Sequence, residues 1–218
     1  MKFDRLYERA KVLGCDYIVT GHYARIEKRE GGYVLLKATD PSKDQSYVLY
    51  QLTQEQLAHT MFPLGAMDKS ETRRIADEHG FINADKPDSQ DICFVPDGDY
   101  ARVVEMYPHA GSEPGDFVGT DGQLIGRHKG IIHYTIGQRR GLGIASTEPY
   151  YVCRICPDDN TVVLGRHEDL MSKTTAVSEV NWISGKAPCG PIKCSAKIRY
   201  RHKEQPATVI PLSESEVR

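Results

Sequence analysis

Tyr17-Ile18-Val19-Thr20-Gly21-His22 reads as a short apolar strand that stops abruptly at a glycine. Ahead of it, Phe3, Leu6, Tyr7, Ala10 and Leu13 recur at helical spacing, and Gly14 supplies the stop. Helix, strand, glycine turn is the grammar of a parallel α/β sheet, whose ligands bind beyond the carboxyl ends of strands. Gly21 lets a backbone approach a ligand closely, and His22 projects beside it. Read alone, the pair is better taken as a turn glycine and a surface histidine.

Working outward, Tyr23 to Ile26, a Gly31-Gly32 turn and Tyr33 to Lys37 form a hairpin pattern, closed by Asp40-Pro41-Ser42. Lys43-Asp44-Gln45 then falls on a loop or helix start. Lysine pairs with phosphate, and aspartate and glutamine reach hydroxyls and base edges, although such a triplet is usually only solvated. Thr53 to Met61 reads as a helix. Asp68 with Glu71 reads as a capping box opening a further helix that Gly80 ends.

Asp88-Ser89-Gln90-Asp91-Ile92-Cys93-Phe94-Val95 sets one cysteine among polar residues after Lys86-Pro87. That polarity argues for a loop rather than a core strand, and loops are where chemistry is mounted. A packed thiol is the common fate of a lone cysteine. The nearby aspartates raise a thiol pKa, so Cys93 needs a distant base, a helix amino terminus or a persulfide to be reactive.

After about residue 105 glycine becomes frequent and short β-like runs alternate with turns such as Thr120-Asp121-Gly122-Gln123 and Asp158-Asp159-Asn160. The stretch 126–143 carries Arg127, His128, Lys129, Arg139 and Arg140 among glycines with Tyr134, which suits a phosphate-contacting surface as well as a solvated loop. Another module starts near Met171. Alternation over Cys194 to Lys203 places Lys197, Arg199, Arg201 and Lys203 on one strand face, either a backbone-tracking stripe or an edge protected by charge.

The chain has 218 residues, six cysteines and a net charge of −2. That length allows one or two domains with a real core. The balanced charge gives no bulk attraction to nucleic acid, so any RNA contact needs a local basic patch. No apolar run approaches the roughly 18 residues of a membrane span. The charged start has no secretory h-region, and the irregular cysteine spacing reads as cytosolic thiols. Cys153-x-x-Cys156 and Cys189 with Cys194 suit zinc poorly, because a strand points residues three apart to opposite faces. No metal site is expected.

The Ser89-Gln90-Asp91-Ile92-Cys93-Phe94 stretch resembles the segment of the second reactive cysteine in the tRNA-specific 2-thiouridylases. Thr20-Gly21-His22-Tyr23-Ala24-Arg25, Lys43-Asp44-Gln45-Ser46-Tyr47, Tyr134-Thr135-Ile136-Gly137-Gln138-Arg139-Arg140-Gly141-Leu142-Gly143 and Lys197-Ile198-Arg199-Tyr200-Arg201 match the same family in order. The resemblance implies a fold: the remainder of a parallel-sheet α/β adenine-nucleotide-binding domain (1–100), a small β-rich central domain (101–168) and an incomplete C-terminal β-barrel (169–218). It implies ATP-dependent 2-thiolation of the wobble uridine of tRNA, with Cys93 carrying sulfur as a persulfide and later entering a disulfide. Gly21 is placed at ATP, with Mg²⁺ accompanying it. His22, Lys43, Asp44, Gln45, Arg199 and Tyr200 are placed at tRNA. A cysteine desulfurase or sulfur-carrier protein would supply the sulfur, in the cytoplasm and away from membranes.

The family's Ser-Gly-Gly-x-Asp-Ser-Ser phosphate loop and its first reactive cysteine are not found in the sequence, which also stops at Arg218 where the resemblance implies further strands. The expectation is weak ATP binding and no adenylation by this chain alone. The alternative reading is a non-catalytic tRNA-binding or sulfur-relay remnant. A zinc-stabilised binding module is a third.

Overall fold

The computed structural model describes residues 2–82, 100–106, 111–200 and 202–218. The chain divides into two compact units, Met1–Lys86 with Thr174–Arg218, and Pro87–Lys173.

In the first unit, α1 (Lys2–Val12) leads through Gly14, at φ +69°, into β1 (Ile18–Val19). β1 pairs in parallel with β4 (Thr60–Met61). Between them lie the antiparallel strands β2 (Ala24–Arg29) and β3 (Gly32–Lys37), a 3-10 turn at Ser46–Leu49, and α2 (Gln54–Ala58). Ala24, Leu49, Leu52, Leu57 and Phe62 form the core, with Phe3, Ile26, Tyr33 and Leu35 packed around them. At Gly65 two backbones nearly touch, because a Cβ there would stand 1.7 Å from the Ala24 carbonyl oxygen.

The helix expected over Thr53 to Met61 is shorter than its pattern. Thr53 closes a reciprocal capping box with Gln56, but the helix stops at Ala58. Thr60 turns its hydroxyl onto the Gln56 carbonyl (2.7 Å), and the Ile18 N–H reaches the His59 carbonyl at 2.8 Å. Sheet pairing takes over what the sequence offers as a last helical turn. α3 (Lys69–Glu78) starts at Asp68 without a side-chain capping bond, so the capping box expected there does not form. Gly80, at φ +65°, lies just beyond its end.

The C-terminal part of this unit is the antiparallel hairpin β9 (Ile192–Ala196) and β10 (Gln205–Val209), with isolated bridges from Val217 to Val177 and Pro211. No closed barrel forms among the described residues. The cationic stripe expected on one strand face is also absent: β9 ends at Ala196, and the described residues from Lys197 to His202 lie outside any strand. Alternation in sequence here reflects a hairpin connection, closed by the His202 N–H on the Arg199 carbonyl at 3.0 Å.

The second unit contains α4 (Tyr100–Val104) and a four-stranded sheet in the order β6-β5-β8-β7. β5 (Gly115–Gly119) pairs antiparallel with β6 (Leu124–His128) and parallel with β8 (Thr161–Gly165), which pairs antiparallel with β7 (Tyr151–Cys156). Phe117, Tyr134, Leu142, Val152, Val162 and Leu164 form its core. His128, read in sequence as part of a basic surface, is only 2% exposed and packs edge-on against Phe117 and Tyr134. The alternation of β6 turns it inward. No described helix is long and apolar enough to cross a membrane.

Candidate nucleic-acid interface

The loop from Asp40 to Tyr47 is built by its own polar side chains. Asp40 accepts the Ser42 N–H (2.9 Å) and hydroxyl (2.7 Å), bonds that hold its carboxyl below the usual carboxylate range with help from the Lys43 charge. Asp44 accepts the Ala38 N–H at 2.9 Å and, through its other oxygen, the Ser46 hydroxyl at 2.8 Å. Gln45 clasps Tyr23 from both sides: its Oε1 accepts the Tyr23 N–H (2.9 Å), and its own N–H donates to the Tyr23 carbonyl (2.8 Å). The Lys43-Asp44-Gln45 segment is thereby fastened to the residue that follows His22. The Asp44 and Gln45 oxygens are committed to this framework, while the half-buried Lys43 rides on it.

His22 lines a cleft of about 600 Å³ with Phe3, Asp4, Leu49, Leu52 and Gln56. Its Nδ1 lies 2.8 Å from the Thr20 hydroxyl, and its ring packs between Phe3 and Phe62 at centroid distances of 5.7 and 5.8 Å. Gly21 is exposed, and its φ lies outside the left-handed region. A Cβ there would meet only Leu64 Cδ1 at 3.6 Å, an ordinary contact, so the fold itself does not require glycine at 21.

A second cleft in the same unit, of about 330 Å³, is lined by Lys37, Ser42, Asp44, Lys197, Tyr200 and Glu204. The rings of Tyr47 and Tyr200 stand 6.1 Å apart at 51°, and the Lys197 ammonium sits 5.6 Å from one and 5.3 Å from the other. The Tyr47 hydroxyl donates to the Ile198 carbonyl at 3.1 Å, and Lys37 pairs with Glu204. A cation over two aromatic faces, opening on a polar cleft, is the surface chemistry that single-stranded nucleic acid uses for stacking and phosphate pairing.

The structure therefore brings Asp44 and Tyr200 into one cleft and puts His22 in a different one; Arg199 lies in the same hairpin turn as Tyr200. Cys93, Arg201 and the whole Asp88 to Val95 stretch lie outside the described residues. Sequence reasoning missed the meeting of Tyr47 with Tyr200 and Lys197, and of Lys37 with Glu204. Tyr47 closes the Lys43–Tyr47 motif and Tyr200 lies within Lys197–Arg201, but nothing in a linear pattern says that they meet. Among the described residues no group of three or more histidine, cysteine or acidic side chains gathers as a metal site. Burial raises the Cys153 thiol pKa, with nearby Asp169 adding to it, which keeps that cysteine protonated and poorly nucleophilic.

Three family models match the chain in sequence: the tRNA methyl transferase HUP domain over residues 1–97, the tRNA methyl transferase PRC-barrel domain over 106–166, and the aminomethyltransferase beta-barrel domain over 172–218. Among curated proteins, the chain is 49% identical over its whole length to a tRNA-specific 2-thiouridylase MnmA from Clostridioides difficile (strain 630), covering 61% of that protein. It is 48% identical to that of Trichormus variabilis, covering 62% of it, and 47% identical to that of Halothermothrix orenii, covering 61%, again over the whole chain. The chain thus spans about three fifths of the length of the curated relatives it matches. With these matches running in order through both compact units, the chain belongs to the tRNA-specific 2-thiouridylase family.

Proposed function

We propose that this chain carries the tRNA-engaging and sulfur-bearing part of an enzyme that thiolates C2 of the wobble uridine. The observation that carries the reading is the packing of Tyr47 against Tyr200 beneath Lys197, which joins two sequence motifs into one base-and-phosphate surface. Lys43, Asp44, Gln45, Arg199 and Tyr200 are assigned to tRNA at that surface, and His22 to tRNA in the cleft it lines. Gly21 is assigned to the adenine nucleotide, because its own neighbours leave room for a side chain and glycine is then wanted for something outside the chain.

ATP, with Mg²⁺ screening its phosphates, would convert the C2 oxygen of uridine into a leaving group. Cys93 then supplies the nucleophile. Its persulfide sulfur attacks C2 and expels AMP. Attack of a second cysteine thiolate on Cys93 Sγ breaks the sulfur–sulfur bond, leaving a thiocarbonyl at C2 and a disulfide at Cys93. A cysteine desulfurase or sulfur-carrier protein reloads the thiol after reduction, and the setting is the cytoplasm.

Cys93→Ser in a protein of full family length abolishes 2-thiouridine formation while leaving tRNA affinity nearly unchanged. Mass spectrometry of digested tRNA and a filter-binding titration read the two quantities. Normal thiolation by that variant would overturn the role of Cys93. Tyr200→Ala in the present chain weakens binding of an unmodified tRNA transcript by roughly 5- to 150-fold, the range of one base–aromatic stack. A wild-type chain that fails to retain tRNA at low salt would remove the interface reading itself.

A further inference from the structure

The glycine-rich motif of the second unit is left without a role by the interface above, although it lines a cleft of its own. That cleft, about 380 Å³, runs along Arg139, Gly141, Gly143, Ser146, Glu148 and Tyr150. From these residues we infer a phosphate cradle in the second unit that takes the phosphodiester backbone of RNA. The inference rests on the tRNA-binding reading and extends it to a surface built independently.

Gly141 and Gly143 adopt φ of +75° and +70°, with Leu142, of opposite sign, between them. No Cβ at either glycine would clash with its neighbours, so glycine serves the backbone conformation rather than a lack of space. Where right-handed and left-handed residues alternate, successive N–H groups can turn toward one concave side, an arrangement that binds anions. Among the described residues, the N–H groups of Gly141, Leu142 and Gly143 donate to no partner. The loop is nevertheless anchored. Leu142 is sunk in the core, and Gln138 braces the chain by accepting the Thr135 N–H (3.0 Å) and donating to the Arg140 carbonyl (2.9 Å). Gly126 of β6 leaves the space that Ile144 fills.

Charge decides what the cradle takes. Arg139 and Arg140 are both exposed on this loop, and a guanidinium fork suits phosphate oxygens. The acid in the wall, Glu148, is answered by Arg166, whose Nε stands 3.3 Å from its carboxylate. The same guanidinium covers the Tyr150 ring at 4.7 Å, and Tyr134 is buried. A free nucleotide would therefore find no open aromatic face for its base. A phosphodiester needs none.

The test is a salt titration of the whole chain against an unmodified tRNA transcript. Arg139→Ala with Arg140→Ala should lower the slope of log affinity against log salt by roughly 1 to 2, the loss of one or two phosphate contacts. Arg139→Lys with Arg140→Lys should keep the slope, since the charge remains. An unchanged slope in the double alanine variant, with Tyr200→Ala still weakening binding, would overturn the cradle and leave the interface standing. ATP displacing tRNA from wild type but not from the double alanine variant would also overturn it, by marking the cleft as a nucleotide site. A wild-type chain that binds no tRNA would overturn the interface reading and the cradle with it.

Discussion

His128 is the residue whose chemistry depends most on where the fold puts it. Its Nδ1 accepts the Gly130 N–H at 3.1 Å, which fixes the ring proton on Nε2, and that proton goes to the Asn160 carbonyl at 3.0 Å. Burial lowers its pKa, with Arg127 adding to the effect and the Asn160 bond and Asp116 opposing it. The folded unit therefore prefers the neutral ring, whereas an unfolded histidine titrates near about 6.5. The contribution is complete above the unfolded value and is lost as pH falls through it, with a slope of at most about 1.4 kcal/mol per pH unit. Thermal unfolding of the wild-type chain should drop more steeply between pH 7.5 and 5 than that of His128→Gln. Parallel curves would refute this role. None of it was legible in the sequence, where His128 sits in a run of cations and looks solvated. Gln45 was legible as a polar loop residue, but not as a clasp, because its partner Tyr23 is 22 positions away.

At the scale of elements, the two helix starts separate pattern from performance. Thr53 makes both bonds of a capping box, and Asp68, followed by Glu71 at the same spacing, makes no side-chain cap. Thr53→Ala should cost about 1 kcal/mol in denaturant unfolding, and Asp68→Ala clearly less. Equal losses would mean that sequence spacing predicts capping better than the geometry does. The hairpin β2–β3, with glycines at its turn, and the helix ahead of β1 could be read directly, since local chemistry sets both. The end of α2 could not, because Thr60 is taken by a strand partner more than 40 positions upstream. The cations after Ala196 misled for the related reason that alternation cannot distinguish a strand from the turn that follows it.

Across the first unit, the Tyr47 hydroxyl reaches a carbonyl 151 positions away, and no property of either segment announces that meeting. The fold class could be read from helix, strand and glycine order; the shared cleft could not. Tyr47→Phe should leave RNA affinity within about threefold, because the ring and its cation remain, while Tyr47→Ala should lose roughly as much as Tyr200→Ala. Fluorescence anisotropy with labelled tRNA distinguishes these outcomes, and equal losses for both Tyr47 variants would shift the weight from stacking to the hydroxyl. Lys37 and Glu204 are an exposed pair, and a pair of this kind adds at most about 1 kcal/mol. Charge reversal at Lys37 should therefore speed proteolysis of the hairpin turn at residues 197–203 more than it lowers the unfolding midpoint.

The near-contact of Gly65 with Ala24 bears on how mutation can explore this chain. In a saturation library selected only for soluble folded protein, the column for codon 65 should be almost blank, with even alanine lost to the collision at 1.7 Å. The column for codon 21 should fill under that selection and empty only when survival depends on ligand binding. Comparing the two selections would distinguish a glycine the architecture demands from one demanded by the work the protein performs.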